Sequence, residues 1–142
     1  MSRTLSSPCI GICSTVYGDN ICRGCKRNYR EVIDWNRYDE QEKQQVYQRL
    51  QQQIEQVVAT FIEVVNPEQL KAKLQQANGQ QPLLYDSPLF WAYELLRLQA
   101  AHITTLSDYG LQATADYQTL SAKALFTLLD DELYALANGK VS

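Results

Sequence analysis

Four cysteines stand in the first 25 residues, as Cys9-x3-Cys13 and Cys22-x2-Cys25 with eight residues between the pairs, and no cysteine follows them. A tetrahedral ion needs convergent thiolates, and a close pair on each of two turns supplies four from a short stretch of chain. The chemistry this spacing predicts is metal binding through Cys9, Cys13, Cys22 and Cys25. Gly11 lies inside the first pair and Gly24 inside the second, where the missing Cβ lets backbone amides turn toward sulfur and donate hydrogen bonds to it. Between the pairs, Tyr17-Gly18-Asp19-Asn20 is a turn signal flanked by Val16 and Ile21. It predicts a small hairpin that brings Cys13 back to Cys22.

Bulk properties narrow the remaining classes. A net charge of −3 and an isoelectric point near 5.1 argue against nucleic-acid binding through overall charge. The N-terminal Met-Ser-Arg-Thr-Leu-Ser-Ser-Pro has no apolar signal core, and no uninterrupted apolar run is long enough for a membrane span. The expected address is therefore cytoplasmic. Thiols stay reduced there, so the cysteines read as metal ligands rather than as two disulfides. The single histidine, His102, lies far from them on an apolar stretch and reads as a packed or surface residue. No serine, histidine and acid spacing, phosphate-binding glycine loop or carboxylate and histidine cluster is present, so the chain reads as non-catalytic, with no small-molecule substrate evident.

The elements that must position the cysteines are helices. Asn28-Tyr29-Arg30-Glu31 has the pattern of a capping box and predicts a helix directly after Cys25, with Val32, Ile33 and Trp35 as its apolar residues. Asp39-x-x-Glu42 is a second box. After it Tyr47, Leu50, Ile54, Val57, Val58, Phe61, Ile62 and Val65 recur at helical spacing, predicting a long helix over about 40–65 with Gln44, Gln48, Gln51, Gln52 and Glu55 on its wet side. Asn66-Pro67 starts a helix to about Gln76, and Ser87-Pro88 starts the most apolar one, with Leu89, Phe90, Trp91, Tyr93, Leu95, Leu96, Leu98 and Ile103. That helix is either central or covered by a partner. A last helix over Ser121 to Leu136 carries Leu125, Leu128, Leu129, Leu133 and Leu136 and closes at Asn138-Gly139, with Asp130-Asp131-Glu132 as solvated surface. Residues 105–119 carry no clear pattern. The fold class is thus mainly α: a four-cysteine knuckle with a short β-hairpin over 1–37, then a helical domain over 38–142 of about four to five helices, with a possible linker at 77–86. A segment as short as the knuckle lacks a sufficient core, and metal would be its staple.

Ser7-Pro8-Cys9-Ile10-Gly11-Ile12-Cys13, Cys22-Arg23-Gly24-Cys25-Lys26-Arg27 and Glu31-Val32-Ile33-x-Trp35 together resemble a family of small bacterial proteins of unknown function, commonly labelled predicted iron-sulfur proteins. The resemblance spans about residues 7–50 and implies that Cys9, Cys13, Cys22 and Cys25 are the ligands. Asn28 stands where the family has threonine, which preserves a capping side chain; the extension beyond residue 50 is a larger departure. The cofactor is zinc or an iron-sulfur cluster: the glycine-containing knuckles beside a capped helix favour zinc, and the resemblance carries the iron-sulfur label. Three functions follow. The one that assumes least is a metal-stapled module that docks a partner protein. The second is a small iron-sulfur redox or sensor protein. The third is a nucleic-acid-binding knuckle, contacting its partner through Arg23, Lys26, Arg27 and Arg30 beside Tyr29, although four basic residues on a surface usually serve only solubility.

Overall fold

Helix starts in this chain are set by side chains that take up the first orphan amides of each helix. The computed structural model describes residue 21, residues 26–80, residue 83 and residues 85–137. Among them are five α-helices: α1 (Tyr29–Asp34), α2 (Glu40–Phe61), α3 (Pro67–Ala77), α4 (Pro88–Gln99) and α5 (Ala122–Ala137). Two short strands, β1 (Ile62–Val64) and β2 (Leu111–Ala113), pair antiparallel. The mainly helical class is thus observed. The hairpin expected around Tyr17–Asn20 lies outside the described residues, as do Asn138 and Gly139. The chain divides into two compact units, one of Met1–Gln53 with Glu132–Ser142 and one of Ile54–Asp131.

In the first unit α1 begins at the expected capping box. The Asn28 side chain accepts from the Glu31 amide at 2.9 Å, and the Glu31 carboxylate accepts from the Asn28 amide at 3.0 Å. The helix is short and tightens into a 3-10 turn at Trp35–Arg37. Of the apolar residues Val32, Ile33 and Trp35, Trp35 is buried but Ile33 is 57% exposed, because residues two apart point to opposite sides of a helix. The second capping box also forms, Asp39 accepting from the Glu42 amide at 2.8 Å and Glu42 from the Asp39 amide at 3.2 Å. Helix α2 then brings Val46 and Leu50 onto Trp35, with Tyr38 and Tyr47 packed alongside. Tyr47 meets the indole edge-on, with ring centroids 5.9 Å apart. Among the described residues this apolar cluster is small.

The second unit opens on the buried Ile54, Val57, Val58 and Phe61 of α2. The expected run of helix to residue 65 is corrected here, since Ile62–Val64 leave the helix to form β1. The β-branched Ile62 and Val64 suit a strand, and the partner comes from the stretch that carried no clear pattern, in the register Ile62↔Ala113, Glu63↔Gln112 and Val64↔Leu111. Gly110 makes the turn into β2 with φ of +74°, and its carbonyl accepts from the amides of Val65 at 2.8 Å and Asn66 at 3.1 Å. Val65 therefore sits at a turn and is 60% exposed instead of lying on an apolar helix face.

Asn66 caps α3 at 3.1 Å, and α3 packs its buried Leu70 and Leu74 side against α4. The Ser87 hydroxyl accepts from the Phe90 amide at 3.3 Å and donates to the Glu55 carboxylate at 2.6 Å. Glu55, expected on a wet helix face, is thus partly buried and anchors the start of α4. Phe90, Trp91, Ala92, Tyr93, Leu95 and Leu96 are all buried, so α4 is the central helix of this unit. Ile103 is buried too, but lies beyond the helix end. On α5, Leu125, Leu129 and Leu133 are fully buried, whereas Leu128 is 44% exposed. Asp130 accepts from the buried Tyr93 hydroxyl at 3.1 Å and is more than solvated surface.

Candidate metal centre

Cys9, Cys13, Cys22, Cys25, Gly11, Gly24 and Arg23 lie outside the described residues. The described residues next to the second pair define what flanks it. Ile21, immediately before Cys22, and Asn28, three residues after Cys25, form an antiparallel bridge. The chain therefore returns to Ile21 at Asn28. Lys26, the residue after Cys25, has φ of +67°, a left-handed conformation that a residue with a Cβ adopts only where the surroundings impose it. Asn28 then caps α1, so bridge, turn and helix start follow one another within a few residues.

The basic residues after Cys25 differ in exposure. Lys26 and Arg27 are each 3% exposed, whereas Arg30 is exposed. Arg27 places its guanidinium carbon 5.0 Å from the centroid of the Trp35 ring. Lys43 of α2, also 3% exposed, places its ammonium 5.6 Å from the same ring. Each lies within cation–π range. The Trp35 Nε1–H is buried and has no hydrogen-bond partner among the described residues.

Neither Lys43 nor the orphaned indole was picked out by cysteine spacing. The helical periodicity held one signal, because Lys43 stands three residues before Val46 and seven before Leu50 and so occupies the buried face of α2. Beneath these groups Glu31 serves two partners: besides the Asn28 amide, its carboxylate accepts both ends of the Arg49 guanidinium, Nη2 at 2.6 Å from Oε1 and Nη1 on Oε2. The Tyr38 phenol is pushed above its ordinary value, first by burial and then by the negative charges of Glu31, Asp34 and Glu42.

Elsewhere, His102 is exposed in the 3-10 turn Ala100–His102, and no group of three or more histidines, cysteines or acids able to hold a metal occurs among the described residues. The second unit has a cleft of about 490 Å³ beside β2. Asn66, Gln69 and Gln112 offer hydrogen bonds there, but no described residue lining it is ionisable, so the cleft supplies no general acid or base. No described helix is long and apolar enough to cross a membrane.

Comparison with known proteins finds one similarity, over the N-terminal third of the chain. Residues 7–54 match the model of the family described as "Protein of unknown function (DUF1289)", which takes in all four cysteines, the bridge, α1 and most of α2. The resemblance read from the cysteine motif is borne out over that segment. No curated protein and no solved structure matches the chain.

Proposed function

We propose that the chain is a non-catalytic metal-binding protein of the cytoplasm whose Cys9, Cys13, Cys22 and Cys25 together hold one zinc ion, and that this metal staples the N-terminal unit into a module that docks a partner protein. The observation that carries the reading is the pairing of Ile21 with Asn28 around the second cysteine pair, followed by the left-handed turn at Lys26. A knuckle needs both: its two ligands must leave and rejoin the fold at one point, and the backbone after the second ligand must turn so that amides face sulfur.

The surroundings fit the group as well. Four thiolates around a divalent ion retain net negative charge, and Arg27, two residues after Cys25 in sequence, meets the buried Lys43 on the ring of Trp35, whose N–H has no partner among the described residues. The small apolar cluster around Trp35 gives the staple its purpose, since structural zinc supplies apparent binding free energies of about 10–16 kcal/mol in small fingers. The burial of Lys26 and Arg27 weighs against a nucleic-acid-binding knuckle.

Amide exchange on Cys22→Ser and Cys25→Ser proteins tests the structural role. Protection should vanish across α1 while the amides of α4 stay protected. Native protection of Val32 through Trp35 in both variants would refute a structural metal.

A further inference from the structure

A cleft selects its occupant through the groups that line it: a charge calls for a counter-charge, a ring for a ring to stack on, and an amide for a donor or an acceptor. The cleft of about 490 Å³ beside β2 is lined by residues of the second unit and falls in the size range of ligand sites. Among the described residues that line it, none is ionisable and none is aromatic. A charged ligand would therefore lie there without a counter-ion, and a flat heterocycle without a ring to stack on. The apolar part of the lining is aliphatic, with Leu106 and Leu120 half-buried and Val65 60% exposed. Four side-chain amides join it, those of Asn66, Gln69, Gln112 and Gln118. Two of these are held in place by half of their own hydrogen-bonding capacity. Asn66 Oδ1 accepts from the Gln69 amide at 3.1 Å, which leaves the Asn66 NH₂ group to donate. Gln69 Nε2 donates to the Asp108 carbonyl at 2.9 Å, which leaves Gln69 Oε1 to accept. Gln112 is exposed on β2, and its side-chain amide makes no hydrogen bond among the described residues. The wall that carries Val65 and Asn66 is fixed by the Gly110 carbonyl, which accepts from both of their amides.

We propose that this cleft binds a short uncharged peptide segment of a partner protein, taking an aliphatic side chain against Val65, Leu106 and Leu120 and a backbone peptide group on Asn66 and Gln69. A peptide group offers one donor and one acceptor, the same complement as the uncommitted halves of those two side chains. Gln112 supplies a further amide for the same segment. Because Asn66 and Gln69 are already oriented by their own hydrogen bonds, little side-chain freedom is lost when the segment binds. The inference stands apart from the four-cysteine reading, since every residue it uses lies at or beyond Val65.

The test is a chemical-shift titration of the full chain with three probes: N-acetyl-leucine N-methylamide, its charged analogue N-acetyl-leucine, and the longer N-acetyl-leucyl-alanyl-leucine N-methylamide. The first has about 13 non-hydrogen atoms, and at the efficiency usual for drug-sized ligands it should bind with a Kd of about 1 mM. Its shifts should concentrate on the side-chain NH₂ groups of Asn66, Gln69 and Gln112. The carboxylate analogue should bind at least about tenfold more weakly, its charge being left without a partner. The longer probe, with a second aliphatic side chain to bury, should bind about tenfold more tightly. Gln69→Met and Gln112→Ala should each weaken the neutral probes by about fivefold. These variants lie on α3 and β2, so a folding defect in one leaves the other to decide. Parent-like affinity in both variants, equal binding of the carboxylate analogue, or no shift at these residues at about 10 mM probe would overturn the proposal. A longer probe that binds no more tightly than the single residue would overturn the peptide segment as occupant and leave a cleft for a small uncharged amide.

Discussion

Glu31 is the residue through which the first unit can be tested most sharply, because one carboxylate closes the capping box of α1 and binds Arg49 of α2. Its side chain is 8% exposed and that of Arg49 is 39% exposed. Glu31→Gln keeps an acceptor for the Asn28 amide but removes the charge. Glu31→Ala removes both. Hydrogen bonds to charged groups contribute about 1.5–3 kcal/mol, and the exposure of Arg49 places this pair toward the lower end through solvent screening. The capping contribution adds about 1 kcal/mol. Glu31→Gln should therefore destabilise the first unit by about 1–2 kcal/mol and Glu31→Ala by about 2–4 kcal/mol. Urea unfolding, with amide exchange at Val32 through Trp35 to assign the loss to this unit, measures both. A double-mutant cycle with Arg49→Met isolates the pair and should return a coupling of about 1–2 kcal/mol. A coupling near zero, with α1 protection unchanged in Glu31→Ala, would refute the view that this carboxylate ties α1 to α2.

Gly110→Ala should destabilise the second unit by more than about 3 kcal/mol: a left-handed alanine is strained by about 1–2 kcal/mol, and its Cβ would meet the Asn66 carbonyl oxygen at 2.3 Å, which is backbone and cannot swing aside. A loss below 1 kcal/mol in urea would contradict the β1–β2 register. Burial, reinforced by Asp130, holds the Tyr93 phenol well above its ordinary value. Below about pH 10 the phenol is neutral in folded and unfolded chains alike, and above it the unfolded chain ionises first, so stability should fall as pH rises past that point. Tyr93→Phe should be less stable at pH 8 by about 1 kcal/mol and should lose part of that alkaline decline; urea midpoints from pH 8 to 11 would show it. Leu96→Ala, at a fully buried position of α4, should lower stability by about 2–5 kcal/mol, and an unchanged melting temperature would mean that α4 is not central.

What was legible in the sequence was whatever local chemistry decides. Both capping boxes, the Asn66-Pro67 and Ser87-Pro88 starts and the buried rows of α4 and α5 depend on residues a few positions apart, and the structure has them. The end of α2 was not legible, because Ile62 and Val64 fit a helical row and leave it only for a strand partner nearly fifty residues away. The charged residues misled for a related reason. Lys26 and Arg27 look like surface groups in composition, and Glu55 and Asp130 look like wet faces, yet each is drawn inward or into a contact by a neighbour distant in sequence or by a backbone turn. Of the proposed centre, the cysteine spacing was legible in the sequence, and the phase of α2 held Lys43. Its meeting with Arg27 on one indole ring required the tertiary fold.

Metal analysis of untagged protein, purified both anaerobically and in air, tests the central claim most directly when joined to an absorption spectrum and a thiol count. One zinc per chain, a featureless visible spectrum and four thiols that react only after chelation are the predicted result. Iron with acid-labile sulfide and a visible band lost in air would keep the four-cysteine centre and replace zinc with a cluster. Metal-free protein with four freely reactive thiols and a fully protected α1 would contradict the account.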